Sequence, residues 1–206
     1  MKKNLLFIIV VLFNSFSSFA QINKGSVFLG GNIGVSQNKP DTLTNAFLSY
    51  YIDPQVGIAI KENTIIGVIL LYGKSDYNSN ASSNNYGGGF FLRKYKQLGK
   101  YFYLFGQGQA LFSYYKISQT YGATDYNINK QTSINLNLYP GISYAVTKKF
   151  HLEATINNLL TLSYTHSVFE NSNPSGNFKE NGFSFYTNAS GSTFPINIGF
   201  RFILGK

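Results

Sequence analysis

Residues 150–164 read FHLEATINNLLTLSY, and the pattern of this stretch decides the fold. Apolar side chains fall mostly at even residue numbers and polar side chains mostly at odd ones, as in Phe150-His151-Leu152-Glu153. We call these two alternating sets of positions the two parities of a strand. Successive side chains of a β-strand point to opposite faces, so an alternation of period two predicts a strand with one apolar and one polar face. The stretch is therefore predicted to form a long amphipathic strand.

The same alternation recurs along the chain and predicts eight strands. In the third strand the alternation is blurred, because Ile65, Ile69 and Leu71 place apolar side chains on the second face as well. In the sixth strand, Pro140 predicts a bulge or an adjusted pairing. The strand segments are 26–36, 56–60, 66–72, 90–95, 102–114, 134–144, 150–164 and 194–204.

The connections between these segments differ in length and composition. Three are short and charged, and the other four are longer and polar. A membrane β-barrel has this asymmetry, with short periplasmic turns and longer external loops. We expect Phe183–Tyr186 to extend a hairpin above the membrane. The short turns are 61–63, 97–99 and 147–149, and the longer segments are 37–44, 75–85, 118–130 and 167–191.

The N-terminus has the features of a cleaved export signal. Lys2 and Lys3 precede a short apolar core, and Ser18-Phe19-Ala20 supplies small residues before a cleavage site after Ala20. A membrane anchor is the alternative, but the apolar run is too short for a spanning helix, which needs roughly 20 residues. We therefore predict a signal peptide at 1–20 and one barrel domain at 21–206. The absence of cysteine excludes a lipoprotein anchor.

Composition narrows the class of protein further. Aromatic residues make up 17% of the chain and charged residues only 12%, whereas soluble domains carry about 25% charge. The net charge of +9 comes from scattered lysines, mostly at turns. We interpret it as solvation of turns and rims, with attraction to anionic lipid headgroups as the weaker alternative, and we expect no nucleic-acid partner.

Two eight-stranded barrels fit the alternation: a soluble lipocalin-like barrel with its apolar face inside, and a membrane barrel with that face outside. Gly, Ser, Thr, Asn and Gln dominate the polar face, and small side chains suit a narrow interior. Aromatic residues near the strand ends favour the membrane barrel, because they suit an interfacial girdle. They are Tyr72, Phe102, Tyr114, Tyr144, Phe150 and Tyr164. We therefore predict an all-β fold, an eight-stranded antiparallel transmembrane barrel in up-and-down order.

Two stretches carry a resemblance to a known family. The first is Asp53–Ile58 leading to Ile65–Val68 and Phe91–Tyr95, and the second runs from Tyr139–Tyr144 through Lys148–Phe150 to Leu152–Ala154. The chain resembles the small porin-like, OmpA/OmpX-type outer-membrane β-barrel proteins common in Bacteroidota. The resemblance implies a location in the outer membrane of a Gram-negative cell envelope and is nearly silent on activity.

The last strand is similar to the signal by which the barrel assembly machinery recognises such proteins. Asn197, Gly199, Phe202 and Leu204 match its polar and hydrophobic spacing. The alternative is an ordinary last strand, because so loose a pattern recurs by chance. The family usually ends on an aromatic residue, whereas this chain ends on Gly205-Lys206.

Three charged residues fall on the predicted inner face: Arg93, Glu153 and Arg201. Each lies close to a short turn or to the C-terminus, so they are expected to share one layer of the lumen. We predict a salt-bridged network that plugs the barrel near its periplasmic end. The alternative is three separate charges solvated by lumenal water.

No catalytic, cofactor or metal site is predicted. His166 and Ser167 are adjacent and should point to opposite faces, and His151 is a lone lumenal histidine. The leading expectation is a non-enzymatic barrel with a structural or surface-interaction role. A narrow pore or transporter and a lipid-modifying enzyme are the alternatives. Expected partners are outer-membrane lipids, the assembly machinery, and an external ligand bound through loops 77–85 and 171–181.

Overall fold

The computed structural model describes residues 22–38, 47–78, 81–121, 125–156, 159–173, 176–187 and 196–205. The predicted signal peptide at 1–20 lies outside these ranges. Within them the chain forms ten strands, all paired antiparallel. They are β1 (Val27–Asn38), β2 (Phe47–Lys61), β3 (Thr64–Asn78), β4 (Ala81–Gln97), β5 (Phe102–Tyr121), β6 (Asp125–Ala145), β7 (Phe150–Ile156), β8 (Leu160–Asn171), β9 (Phe178–Thr187) and β10 (Ile196–Leu204).

These ten strands occupy eight positions around a closed barrel, and we call each position a stave. Each of β1 to β6 pairs with the next, and β10 pairs with β1 to close the ring. Strands β7 and β8 both pair with β6 and lie end to end as the seventh stave. Their partners β10 and β9 form the eighth stave. The predicted eight-stranded antiparallel meander is confirmed.

The seventh stave breaks opposite Pro140. Leu138 faces Leu160 and Gly141 faces Thr155, so this stave has two more residues than β6 over the same length. On its other side β6 keeps a regular register, with Pro140 facing Gly106. The adjusted pairing expected at Pro140 is therefore present, but the extra residues lie in the neighbouring stave.

We call the two ends of the barrel proximal and distal. The proximal end holds the start of β1, the end of β10 and the turns at 62–63, 98–101 and 146–149. In the proximal turn between β2 and β3, Asn63 adopts a φ of 57°, a left-handed conformation that asparagine tolerates well in tight turns. The distal end holds the ends of β1, β3, β5 and β8 and the starts of β2, β4, β6 and β9.

The prediction of long distal loops is wrong at three of the four connections. Strands β3 and β4 pair as far as Asn78 and Ala81, and β5 and β6 pair as far as Tyr121 and Asp125. Much of the expected loop at 167–191 is strand β9, which pairs with β8 along its whole length. Backbone pairing continues through polar Ser and Asn side chains, so loss of apolar alternation did not mark the end of a strand.

The two faces of the barrel wall differ as the alternation predicts. Large apolar side chains point outward and stay exposed, for example Phe90 at 71% and Leu136 at 49%. The inner face holds buried polar residues, and it also holds large apolar and aromatic ones. Ile65 and Ile69, which blur the third strand, point inward and are buried. They belong to a core with Phe28, Phe91, Tyr95, Tyr103, Phe105, Tyr139 and Ile203.

Candidate functional site: a buried charge cluster in the lumen

The structure brings Arg93, Glu153 and Arg201 together inside the barrel. Glu153 on β7 lies opposite Gly199 of β10, two residues before Arg201. Arg93 is on β4, three staves away from Glu153 around the ring, so its side chain reaches across the lumen. All three point inward because they share the parity opposite to the exposed apolar residues of their strands.

Glu153 is the centre of the cluster. Arg93 Nη1 donates to both carboxylate oxygens of Glu153, at 2.8 and 2.9 Å. Arg201 Nε lies 3.1 Å from Glu153 Oε2. The side chains of Arg93 and Glu153 are completely buried and that of Arg201 is 2% exposed. One carboxylate therefore compensates two guanidinium groups, and the cluster carries a net charge of +1.

Two further polar residues hydrogen-bond to Arg93. Gln107, its neighbour on β5, accepts from Arg93 Nε at 2.6 Å. The Tyr95 hydroxyl accepts from Arg93 Nη1 at 3.0 Å and donates to Glu153 Oε1 at 3.0 Å. Hydrogen bonds of this kind offset the cost of removing a charge from water.

Aromatic rings surround the Arg93 guanidinium. Its central carbon lies 4.3 Å from the Phe105 ring centroid and 4.9 Å from that of Phe28. A guanidinium over an aromatic face is attracted to the ring quadrupole, and more strongly where water is excluded. Arg93 is therefore held by ring faces as well as by its carboxylate partner.

Arg201 is fixed on the opposite side of the cluster. Its Nη1 donates to the carbonyl oxygens of Gly31, at 2.7 Å, and of Phe200, at 2.8 Å. A Cβ at Gly30 would overlap the Arg201 side chain. Glycine at this position of β1 therefore makes room for the arginine to lie along the wall.

At the level of the cluster, the lumen is filled by side chains. Ile65, Phe91, Tyr95, Tyr103 and Phe105 are all 3% exposed or less. Three charges held in such packing resist the separation of any one of them, because a lone buried charge is very costly. The arrangement can act as a plug and as a link between β4, β7, β10 and β1.

The distal lumen is more open. A cavity of about 450 Å³ lies there against β1 to β5. Its inward-pointing lining is hydroxyl, amide and phenol groups, including Ser49, Tyr51, Ser75, Tyr77 and Asn85. Such groups suit water or a neutral polar ligand, and contrast with the buried, charged layer at the proximal end.

The sequence analysis missed Tyr95, Gln107 and Phe28 as partners of the cluster. Their parity places them on the inner face, and that signal was available. What the sequence does not contain is how far a side chain reaches across the lumen, and that reach determines which inward residues meet.

The two histidines lie apart from one another. His151 is buried, stacks on Tyr103 with ring centroids 5.5 Å apart, and its Nδ1 lies 3.0 Å from Ser143 Oγ. His166 points outward and its Nδ1 lies 2.8 Å from Asn181 Oδ1, while Ser167 has the inward parity. Among the described residues, no group of three or more His, Cys, Asp or Glu side chains could hold a metal ion.

The four residues of the predicted assembly signal lie on β10. Asn197 and Gly199 have the inward parity, and Phe202 and Leu204 are exposed on the outer wall. The structure gives their positions, and their recognition stays a prediction.

Comparison with known proteins adds no family to this geometry. No protein-family model matches the chain, and no curated protein matches it. In the part of the chain that the structure describes, no helix is long and apolar enough to span a membrane.

Proposed function

We propose that this protein is an integral outer-membrane β-barrel of a Gram-negative bacterium, with a non-enzymatic structural or surface-interaction role. The observation that carries the proposal is the inverted wall, with apolar side chains exposed around the barrel and charged side chains buried inside it. Continuous apolar surface of this extent is rare on soluble monomers and is typical of membrane or protein contact sites.

The outer aromatic residues support the same proposal. The ring centroids of Phe102 and Tyr144 lie 4.9 Å apart near the proximal end. Those of Tyr86 and Tyr114 lie 5.1 Å apart, closer to the distal end. Phe102 and Tyr114 are twelve positions apart on β5. At a rise of about 3.3 Å per residue and a tilt of about 40°, this is roughly 30 Å along the axis, close to the height of a membrane apolar band.

Closure of the sheet is a further support. Lipid offers no hydrogen-bond partner, so a sheet that crosses a bilayer must leave no open edge in the hydrocarbon. The pairing of β1 with β10 removes that edge at the proximal end, over the five pairs from Val27–Leu204 to Gly31–Phe200.

The test is cell fractionation combined with gel mobility. We expect the full chain, expressed in a Gram-negative host, to be recovered in the outer-membrane fraction. Its unboiled form should migrate differently from its boiled form, because a closed barrel survives detergent until it is heated. Recovery in the soluble periplasmic fraction would contradict the proposal.

An open pore is disfavoured by the plug. The cluster and the rings around it fill the lumen at one level, so we expect no steady conductance in planar bilayers. Substitution of Arg93, Glu153 and Arg201 together by alanine removes the three charged side chains of this layer. If the native protein already conducts steadily, the role of the cluster as a plug is wrong.

A lipid-modifying enzyme gains no support from the described side chains. His166 at the wall is bonded to an amide, and Ser167 points the other way. Mass spectrometry of lipid A from cells with and without the protein should therefore show identical species.

A further inference from the structure

The exposed lysines are concentrated at the proximal end. In the described part of the chain, seven lysines and one acidic residue, Glu62, lie at or beside the proximal turns, and all eight are exposed. This end therefore has a net charge of +6. The seven are Lys24, Lys61, Lys94, Lys96, Lys100, Lys148 and Lys149, and we call them the lysine collar.

The distal end has no such excess among the described residues. Its four lysines are matched by four acidic residues, and two of these form ion pairs: Lys74 with Asp76 at 3.1 Å and Lys130 with Glu170 at 2.7 Å. The hydrogen bond to Glu170 raises the pKa of Lys130. The other members are Lys116, Lys179, Asp125 and Glu180. Within the lumen, Asp53 and Glu153 cancel Arg93 and Arg201, so the net charge of the described chain resides at the proximal end.

The collar follows the circumference of the barrel. It has members before β1, at the end of β2, on β4, in the turn after β4 and in the turn after β6. A compact acidic protein would touch one sector of such a ring. A lipid leaflet surrounds the barrel and meets every sector at once.

The collar also lies at the level where apolar wall gives way to aromatic residues. Lys94 and Lys96 point outward on β4 beside Gly106 and Leu104 of β5. The ammonium of Lys100 lies 5.2 Å from the centroid of the Tyr101 ring. Lysines that lay their methylene stems on apolar surface and hold the charge beside aromatic rings are typical of the headgroup level of a bilayer.

We propose that the lysine collar binds the phosphate groups of anionic phospholipids, and that the leaflet around the proximal end is thereby enriched in them. The inference rests on the proposed membrane location and adds a lipid preference and a sidedness to it. Each lysine close to an anionic surface strengthens the attraction roughly fivefold. A ring of seven therefore selects acidic over zwitterionic lipid at this end alone.

The absence of tryptophan from the chain allows each end to be probed separately. Phe102→Trp places a reporter on the outer wall at the proximal end, and Tyr86→Trp places one on the same face near the distal end. Each full-length variant is refolded into phosphatidylcholine vesicles that contain a minor fraction of brominated phosphatidylglycerol in both leaflets. Because the quencher is on both sides, the orientation of insertion does not affect the result.

We expect the proximal tryptophan to be quenched several-fold more than random mixing predicts, and the distal one to match random mixing. Substitution of Lys94, Lys96, Lys148 and Lys149 by glutamine should abolish the proximal excess. The matched control replaces the distal Lys74, Lys116, Lys130 and Lys179 by glutamine and should leave it unchanged. High salt should reduce the excess, because it shortens the Debye length to about 3 Å at 1 M.

The outcomes separate this inference from the proposed function. Equal quenching at both ends, or an excess that survives loss of the four collar lysines, overturns the lipid preference. A soluble acidic partner then becomes the better explanation of the charge at this end. A parallel measurement with brominated phosphatidylcholine tests whether the barrel contacts lipid at all. If it quenches neither tryptophan, the barrel does not meet lipid, and the proposed function itself fails.

Discussion

The proximal and distal halves of the lumen are built from the same eight staves and are filled in opposite ways. The proximal half is packed with aromatic rings around Arg93, Glu153 and Arg201, and the side chains of this layer are almost completely buried. The distal half has small hydroxyl and amide side chains around a cavity of about 450 Å³, and two ion pairs, Lys74–Asp76 and Lys130–Glu170, lie on its outer face. A regular barrel can therefore be sealed at one end and roomy at the other without a change of topology.

This difference follows from side-chain size at inward positions. On β4 the inward residues change from Phe91, Arg93 and Tyr95 at the proximal end to Ser83 and Asn85 at the distal end. Eight strands leave an interior that large side chains just fill and small ones do not. Stability is therefore expected to concentrate in the proximal half.

The largest expected effect comes from removing the shared carboxylate. Glu153→Gln leaves two buried guanidinium groups without a counter-charge, so we expect the free energy of unfolding to fall by about 3–5 kcal/mol. Urea titration of the refolded protein, followed by the heat-sensitive gel band, measures it.

The matched control is Glu170→Gln, which removes the acidic partner of Lys130 at the distal end. That pair is solvent-exposed, and water screens such pairs, so its loss should leave the free energy of unfolding nearly unchanged. Similar losses for both variants would mean that the buried cluster contributes no more to stability than a surface pair does.

A substitution on the outer wall tests where the apolar band lies. Leu136→Arg puts a charge at a mid-wall position of β6 that is 49% exposed, and should cost about 2–4 kcal/mol if that position meets lipid. Tyr126→Arg lies on the same face of the same strand in the distal extension, and should cost roughly 0–1 kcal/mol, as near an interface. Equal costs in vesicle-refolded protein would place both residues in the same environment.

The smallest expected effect concerns room in the lumen. Gly30→Ala adds a methyl group where Arg201 lies, and should destabilise by about 1–3 kcal/mol. Gly73→Ala is the distal counterpart, because a Cβ there meets Tyr50 and Tyr51 at ordinary distances of 3.5 Å. We expect it to be neutral in the same urea titration, and a loss as large as that of Gly30→Ala would show that the distal half is equally tight.

Parity alone was enough to predict the barrel, its strand number and the inward position of Arg93, Glu153 and Arg201. It failed for the distal strands, because the polar segments 75–78 and 81–85 keep their backbone pairing without any apolar signal. It also treated Ile65 and Ile69 as noise, whereas both are buried in the lumen. Apolar residues on both faces of a strand indicate a wall with an apolar outer surface and a lumen packed with side chains. Such a stretch of sequence therefore indicates the level of the plug.

Refolding with and without lipid tests the central claim most directly. The unfolded chain 21–206 is diluted from urea into plain buffer or into phospholipid vesicles, and sedimentation with circular dichroism follows the product. Because the exposed wall is apolar, we predict a folded β-barrel in vesicles and aggregation in plain buffer. A folded, lipid-free monomer in plain buffer would contradict this account.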